Sequence, residues 1–134
     1  QWNDSEYAGF TTGTPWKKVN DNHKIINVEA QNEDPNSILN HFRKMTKVRK
    51  DHSVLVYGKY ELLEREHPTV YAFTRTLDKE QMLILLNFSK EKSSIKLSQF
   101  KDFSKVVINN YEALTVNAGE VDLLPYQAVI LKIK

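Results

Sequence analysis

Four aromatic residues fall within the first sixteen positions: Trp2, Tyr7, Phe10 and Trp16, in the stretch QWNDSEYAGFTTGTPW. Asn, Asp, Ser, Thr and Gly surround them, so apolar ring faces alternate with hydrogen-bonding groups in a turn-rich segment. That is the composition of a binding loop. Gly9 and Gly13 are read as positions whose backbone angles are closed to other residues. Three close carboxylate pairs occur: Asp4 with Glu6, Glu64 with Glu66, and Asp78 with Glu80. A carboxyl group acts as a general acid only when burial or a like-charged neighbour raises its pKa. Each pair lies in a polar turn or at a strand end, and each reads as surface charge.

The other reactive side chains offer less. The four histidines, His23, His41, His52 and His67, form no metal-ligand spacing such as HExxH. GxSxG, the P-loop and GxGxxG are all missing, so neither a metal nor a cofactor is expected. The sequence has no cysteine, which excludes disulfides and thiolate metal sites. Arg43 to Lys50, RKMTKVRK, resembles a nucleic-acid patch in composition. On a helix, however, Met45 and Val48 would turn inward and the cations would face water. With a net charge of +2, neither nucleic acid nor an anionic membrane is an expected partner. No apolar run reaches the roughly 18 residues of a membrane span.

The elements that carry these residues fall into three textures. Residues 1–33 have long-loop composition, unusual at this length unless the loop is functional. DPNSILNHFRKMTKVRKD follows; Asp34 can cap a helix and Pro35 suits its first position. Ile38, Leu39, Phe42, Met45 and Val48 fall at helical spacing, and cations crowd the last two turns. The pattern predicts a helix over about 35–50. From Val54 onward the chain is strand-like, with candidate strands at 54–64, 69–77, 81–89, 93–97, 105–110, 120–124 and 127–134. Short strands separated by HPT, LDKE, SKEK, NAGE and LPY predict a mainly β fold. MLILLNF is apolar on both faces and predicts a central strand. Residues 128–134 alternate between a buried and a wetter face. Hydrophobic residues at 40% of 134 are enough for a core.

QWNDSEYAGFTTGTPW, followed by VN, INVEAQ and DPNSIL, resembles the end of the catalytic barrel in the alpha-amylase superfamily. It is most similar to the oligo-1,6-glucosidase, alpha-glucosidase, dextran glucosidase and trehalose-6-phosphate hydrolase group. YGKYELL, VYAFTRT, LLNFS and LLPYQAVILKI are similar to that group's C-terminal β domain. The resemblance covers essentially the whole chain. It implies two domains: 1–53, the end of a (β/α)8 barrel with loop 1–33 and helix 35–50, and 54–134, an antiparallel Greek-key β-sandwich of about seven strands.

Several expectations follow from the resemblance. The intact enzyme would cleave alpha-1,6 or alpha-1,4 glucosidic bonds in small oligosaccharides by a retaining mechanism, with two carboxyl groups roughly 5 Å apart. Those groups lie upstream of the matched region, so no catalytic residue is assigned and the chain by itself is expected to be inactive. No Met precedes Gln1, and the chain is expected to be part of a longer protein. Trp2, Asn3 and Phe10 would lie near substrate in the intact enzyme. Partners would be the rest of the catalytic barrel and, only then, an oligosaccharide. Self-association through an uncovered apolar patch is expected of the chain alone, and a bacterial cytoplasmic location is implied. The alternative is a free-standing carbohydrate-binding β module. Tyr57, Tyr60, Tyr71, Phe73 and Tyr111 are its candidate ring faces, although strand positions favour packing for them.

Overall fold

The structure is a computed structural model and describes residues 1–100, 103–117 and 119–133. The chain divides into two compact units, Gln1–Thr46 and the remainder from Lys47 onward.

In the first unit, the expected long loop contains regular structure. A 3-10 turn spans Asp21–Lys24, and a short helix, α1, spans Val28–Glu33. Asn27 is the reason α1 starts where it does. Its Oδ1 accepts from Ala30 N at 2.8 Å, and its Nδ2 donates to His23 O at 2.8 Å. One side chain thus caps α1 and closes the preceding turn. The next helix, α2, spans Ile38–Asp51, beginning three residues later than Pro35. Asp34 does not cap it: its Oδ1 accepts from Asn36 N in a local turn. Ser37 takes that place, accepting from Asn40 N at 3.1 Å, while Leu39 N donates to Gln31 Oε1. Asn40 reaches back with Nδ2 to the carbonyls of Gln31 and Asp34, each at 2.8 Å. The polar ends of α1 and α2 therefore satisfy one another.

In the second unit, α3 spans Val54–Tyr57 and eight strands follow: β1 Lys59–Leu63, β2 Val70–Leu77, β3 Glu80–Asn87, β4 Ser93–Lys96, β5 Phe103–Asn109, β6 Thr115–Asn117, β7 Glu120–Leu123 and β8 Ala128–Ile133. The predicted strand over 54–64 is thus half wrong: VLVY is helical and pairing begins at Lys59. Tertiary contacts override the strand propensity of these β-branched and aromatic residues. Val54 and Leu55 are buried against Met82 and Ile84. Arg49 Nη1 donates to Leu55 O at 2.8 Å and Arg75 Nη2 to Val56 O at 3.0 Å, so carbonyls of the short helix have partners. Gly58 then turns the chain into β1; a Cβ there would lie 2.4 Å from Val54 O. The short, exposed strand β6 was not foreseen.

Among the described residues all strand pairings are antiparallel, in a five-stranded sheet ordered β1-β2-β3-β8-β5 and a three-stranded sheet ordered β4-β7-β6. The chain leaves the first sheet after β3 for β4, returns as its edge strand β5, leaves again for β6 and β7, and returns as β8 between β3 and β5, crossing between the sheets as a Greek key does. β3 is the middle strand, as its two-sided apolar run predicts, with Met82, Leu83, Ile84 and Leu85 all buried. Val129 and Leu131 of β8 are buried while Ile130 is less so, matching the predicted alternation; residue 134 lies outside the described residues. The main core forms where Val70, Ala72, Leu83, Leu85, Val129 and Leu131 of one sheet meet Ile95, Val121 and Leu123 of the other, with Leu97 just past β4. A second apolar cluster covers part of the outer face of the five-stranded sheet: Val54, Leu55, Met82 and Ile84, with Val48, Phe73, Leu86 and Ile130 against them.

Candidate functional site

The loop that opens the chain is folded back on itself. Trp2 N donates to Ala8 O at 2.9 Å, Ala8 N to Ser5 O, and Phe10 N to Tyr7 O. Ala8 and Gly9 both have positive φ, 52° and 74°, which reverses the chain between Trp2 and Phe10. Gly9 is needed there twice over, because a Cβ would also come within 3.0 Å of Trp2 Cβ. Gly13, by contrast, has open space around it and no positive φ, so the expectation for it is not met.

The reversal is pinned to α1. Val28 N donates to Gln1 O and Glu29 N to Trp2 O, each at 3.0 Å, and Gln1 Nε2 donates to Ile26 O. Free N–H groups of the first turn of α1 thus hold the Trp2 backbone. Asn3 Oδ1 accepts from Ser5 Oγ at 2.6 Å and from Ser5 N at 3.2 Å, and Ser5 Oγ accepts from Gly9 N. Asn3 therefore organises the turn as well as standing beside Trp2.

The three predicted site residues are separated. Trp2 and Asn3 border a shallow hollow of about 350 Å³ with Glu29 and Glu33 of α1. Phe10 borders a larger groove of about 720 Å³ with Pro15, Trp16 and Val19. Trp2 and Phe10 keep 58% and 59% of their surface exposed, so both present ring faces to solvent. Tyr7 is half-buried. Lys17 Nζ lies 4.7 Å from the Trp16 ring centroid, a cation–π contact. Lys18 is paired with Asp21 at 2.8 Å and holds that carboxyl below its usual range.

The carboxylate pairs show one departure from the sequence reading. Glu80 is not a plain surface charge: it is half-buried, 2.8 Å from Lys132 Nζ and 3.6 Å from His52 Nδ1. The Lys132 ammonium, with a smaller contribution from His52, lowers its pKa. A depressed pKa is the opposite of what a general acid needs. No sequence signal joined these three residues, because they are brought together only by the β3–β8 pairing and the end of α2. Among the described residues, no three His, Asp or Glu side chains come together as metal ligands.

Other polar groups inside the second unit have structural roles. Gln127 is buried; its Nε2 donates to Asn109 Oδ1 and Ala113 O, and its Oε1 accepts from Leu124 N. Asn87 Nδ2 donates to Glu91 O and Leu124 O. Four cations of α2 have partners: Arg43 donates to Asn32 Oδ1, Lys44 to Pro35 O, Lys47 to Asp51 and Arg49 to Leu55 O.

Comparison with known proteins gives this geometry a context. The family profile described as alpha amylase, catalytic domain, matches residues 1–58, and the alpha-amylase SusG C-terminal domain profile matches residues 70–130. The chain is 41% identical over its full length to an oligo-1,6-glucosidase of Parageobacillus thermoglucosidasius, of which it covers 24%. It superposes with TM-score 0.88 and 34% identity on a trehalose-6-phosphate hydrolase of Bacillus licheniformis, and with TM-score 0.91 and 35% identity on the trehalulose synthase of Pseudomonas mesoacidophila. It covers 25% and 24% of those chains, so it spans about a quarter of the length of the relatives it matches. The chain belongs to the alpha-amylase family, its first part matching the catalytic domain of that family and its second part the C-terminal domain.

Proposed function

We propose that this chain serves, within a longer glycoside hydrolase, as a substrate-side loop and a bracing β-sandwich for an enzyme that cleaves alpha-glucosidic bonds in small oligosaccharides. One observation carries the reading: catalytic-domain and C-terminal-domain matches follow one another along a single chain, with 41% identity to an oligo-1,6-glucosidase over its whole length. Among the described residues, none of the close carboxylate pairs suits the acid/base roles of the reaction. Retaining hydrolysis needs one carboxyl with a raised pKa facing a second at roughly 5 Å. Glu80 has a lowered pKa and a fixed cation partner, and it stands on the β-sandwich. What the chain contributes is binding surface. Exposed rings at Trp2 and Phe10 suit stacking on sugar faces at outer positions of the substrate, and the Asn3–Ser5 turn holds Trp2 in place.

The test grafts the chain in place of the matching quarter of the Parageobacillus oligo-1,6-glucosidase. The chain alone should leave isomaltose intact and the chimera should hydrolyse it. Trp2→Ala in the chimera should raise KM by roughly ten-fold with a smaller change in kcat, as expected for a lost binding contact of about 1.4 kcal/mol. Hydrolysis by the chain alone would end the non-catalytic reading.

The exposure of Tyr57, Tyr60, Tyr71 and Tyr111 keeps the alternative of a carbohydrate-binding module in view. Titration of the chain with maltose and isomaltose separates the two readings, since only a module binds either sugar without the rest of the enzyme.

A further inference from the structure

His23 is the buried residue of the 3-10 turn Asp21–Lys24, and the two nitrogens of its ring are in different states. Nδ1 lies 2.9 Å from Asn20 O. A carbonyl only accepts, so in the neutral ring the proton sits on Nδ1 and Nε2 carries a bare lone pair. Nε2 is buried and has no hydrogen-bond partner. A buried polar atom in this condition is uncommon and calls for a reason.

The turn that holds the ring also holds the opening loop. Asn20 O accepts from His23 N as well as from the ring. His23 O in turn accepts from Nδ2 of Asn27, whose Oδ1 caps α1. The first N–H groups of α1, on Val28 and Glu29, hold the carbonyls of Gln1 and Trp2. A run of hydrogen bonds thus leads from the His23 turn to the Trp2 backbone, all inside the first unit.

Protonation acts on the weak point of that run. Histidine is the side chain whose charge ordinarily changes between about pH 5 and 8. A second proton on this ring would put an N–H and a positive charge where no acceptor stands, and a buried charge without a partner is costly. The charged groups on the surrounding elements do not relieve it. Asp21 and Lys24 on the turn, Asp4 and Glu6 on the opening loop, and Glu29 and Glu33 on α1 are all exposed. Asp21 feels the ring only weakly, its carboxyl being held by Lys18. Among the described residues no carboxylate lies within ion-pairing distance of the ring. The charged ring is accommodated when the turn opens to water, and Asn27 then loses its anchor.

We propose that neutral His23 is a positioning residue for the Trp2 loop and that its protonation releases the loop, which makes substrate binding at Trp2 acid-sensitive. The link to substrate rests on the reading that Trp2 stands beside substrate in a longer glycoside hydrolase; the hold on the loop does not.

Nuclear magnetic resonance of the chain reads the hold directly. At neutral pH the His23 ring should carry its proton on Nδ1, and a proton on Nε2 would overturn the proposal. Amide exchange at Val28, Glu29 and Ala30, corrected for the intrinsic effect of pH, should speed up several-fold from about pH 8 to about pH 5. His23→Asn keeps a donor for Asn20 O and cannot be charged, so it should remove that acceleration. Unchanged exchange in the parent, or the same acceleration in His23→Asn, would overturn the proposal. Should His23→Asn not fold, Asn27→Ser takes its place: it still caps α1 but drops the link to His23 O. Acceleration in Asn27→Ser as large as in the parent would refute the relay. In the chimera described above, the isomaltose KM of the parent relative to His23→Asn should be near one at about pH 8 and rise several-fold by about pH 5, with the kcat ratio nearly flat. A flat KM ratio, or a change confined to kcat, would refute the positioning role. Trp2→Ala without effect on KM ends the functional reading alone, since the exchange result in the chain stands apart from it.

Discussion

His67 ties the two sheets together with a single ring. Its Nδ1 accepts from Val70 N at 2.9 Å and from Thr69 N at 3.3 Å, so the proton sits on Nε2, which donates to Ser94 O at 3.0 Å. His67→Ala should cost about 1–3 kcal/mol in urea unfolding of the chain, because two donors and one acceptor lose their partner at once. A cost within experimental error would show that water replaces the ring. Glu80 makes a different prediction, one about pH. Its folded-state pKa is depressed by Lys132, so the stability it adds is present above the ordinary glutamate value of 4.5 and is lost as pH falls through the lower folded value. Glu80→Gln should therefore lower Tm at neutral pH by roughly 2–6 °C, on the strength of a partly buried pair worth about 0.5–1 kcal/mol, and the difference should fade in acid. A difference independent of pH would mean that shape, not charge, is at work. Neither residue could be read from the sequence as a tie, because Ser94 and Lys132 lie far along the chain from them. Trp2, Asn3 and Phe10 were named from resemblance. That they line two hollows rather than one follows from the positive φ of Ala8 and Gly9, and an alanine at that angle gives no sign in a sequence.

The strands show where local pattern suffices. In β2, Ala72 and Thr74 are buried while Tyr71 and Phe73 face outward, and β3 is apolar on both faces because both faces are covered. The two-sided apolar run of β3 is predicted without knowledge of any neighbour, whereas strand position favoured packing for Tyr71, which is exposed. VLVY misleads for the converse reason: it has strand propensity, and its helical form depends on Arg49, Arg75 and the floor formed by Met82 and Ile84. Asp34 and Pro35 were plausible starts for α2, but Ser37 wins because α1 ends against it and supplies Gln31 as a second acceptor. Gly58 is the residue that makes α3 and β1 compatible. Gly58→Ala should destabilise the chain by about 2–3 kcal/mol, in the range of overpacked sites, since the new Cβ meets the Val54 backbone rather than a side chain that can move. Gly13→Ala, in open space, is the control and should be nearly neutral. Equal effects in chemical denaturation would refute the steric account.

The molecule as a whole carries more apolar surface than its two compact units cover. On α2, Ile38, Phe42 and Met45 follow one another at helical spacing and are 85%, 57% and 43% exposed, whereas Val48 on the same stripe is packed. Spacing reveals which side of a helix is apolar, but of the two residues expected to turn inward only Val48 is packed and Met45 is exposed. What covers the stripe depends on surfaces that a sequence pattern does not locate. Contiguous exposed apolar patches beyond a few hundred Å² recruit partners. With nothing else in solution, the available partner is another copy. The chain alone should therefore elute as larger species in sizing chromatography as concentration rises. Phe42→Ser should shift it toward the monomer while leaving Tm almost unchanged, since an exposed ring contributes little to the fold. Strictly monomeric elution at high concentration would refute the prediction. Association that persists in Phe42→Ser but disappears in Tyr71→Glu would move the sticky surface from α2 to the outer face of the sheet.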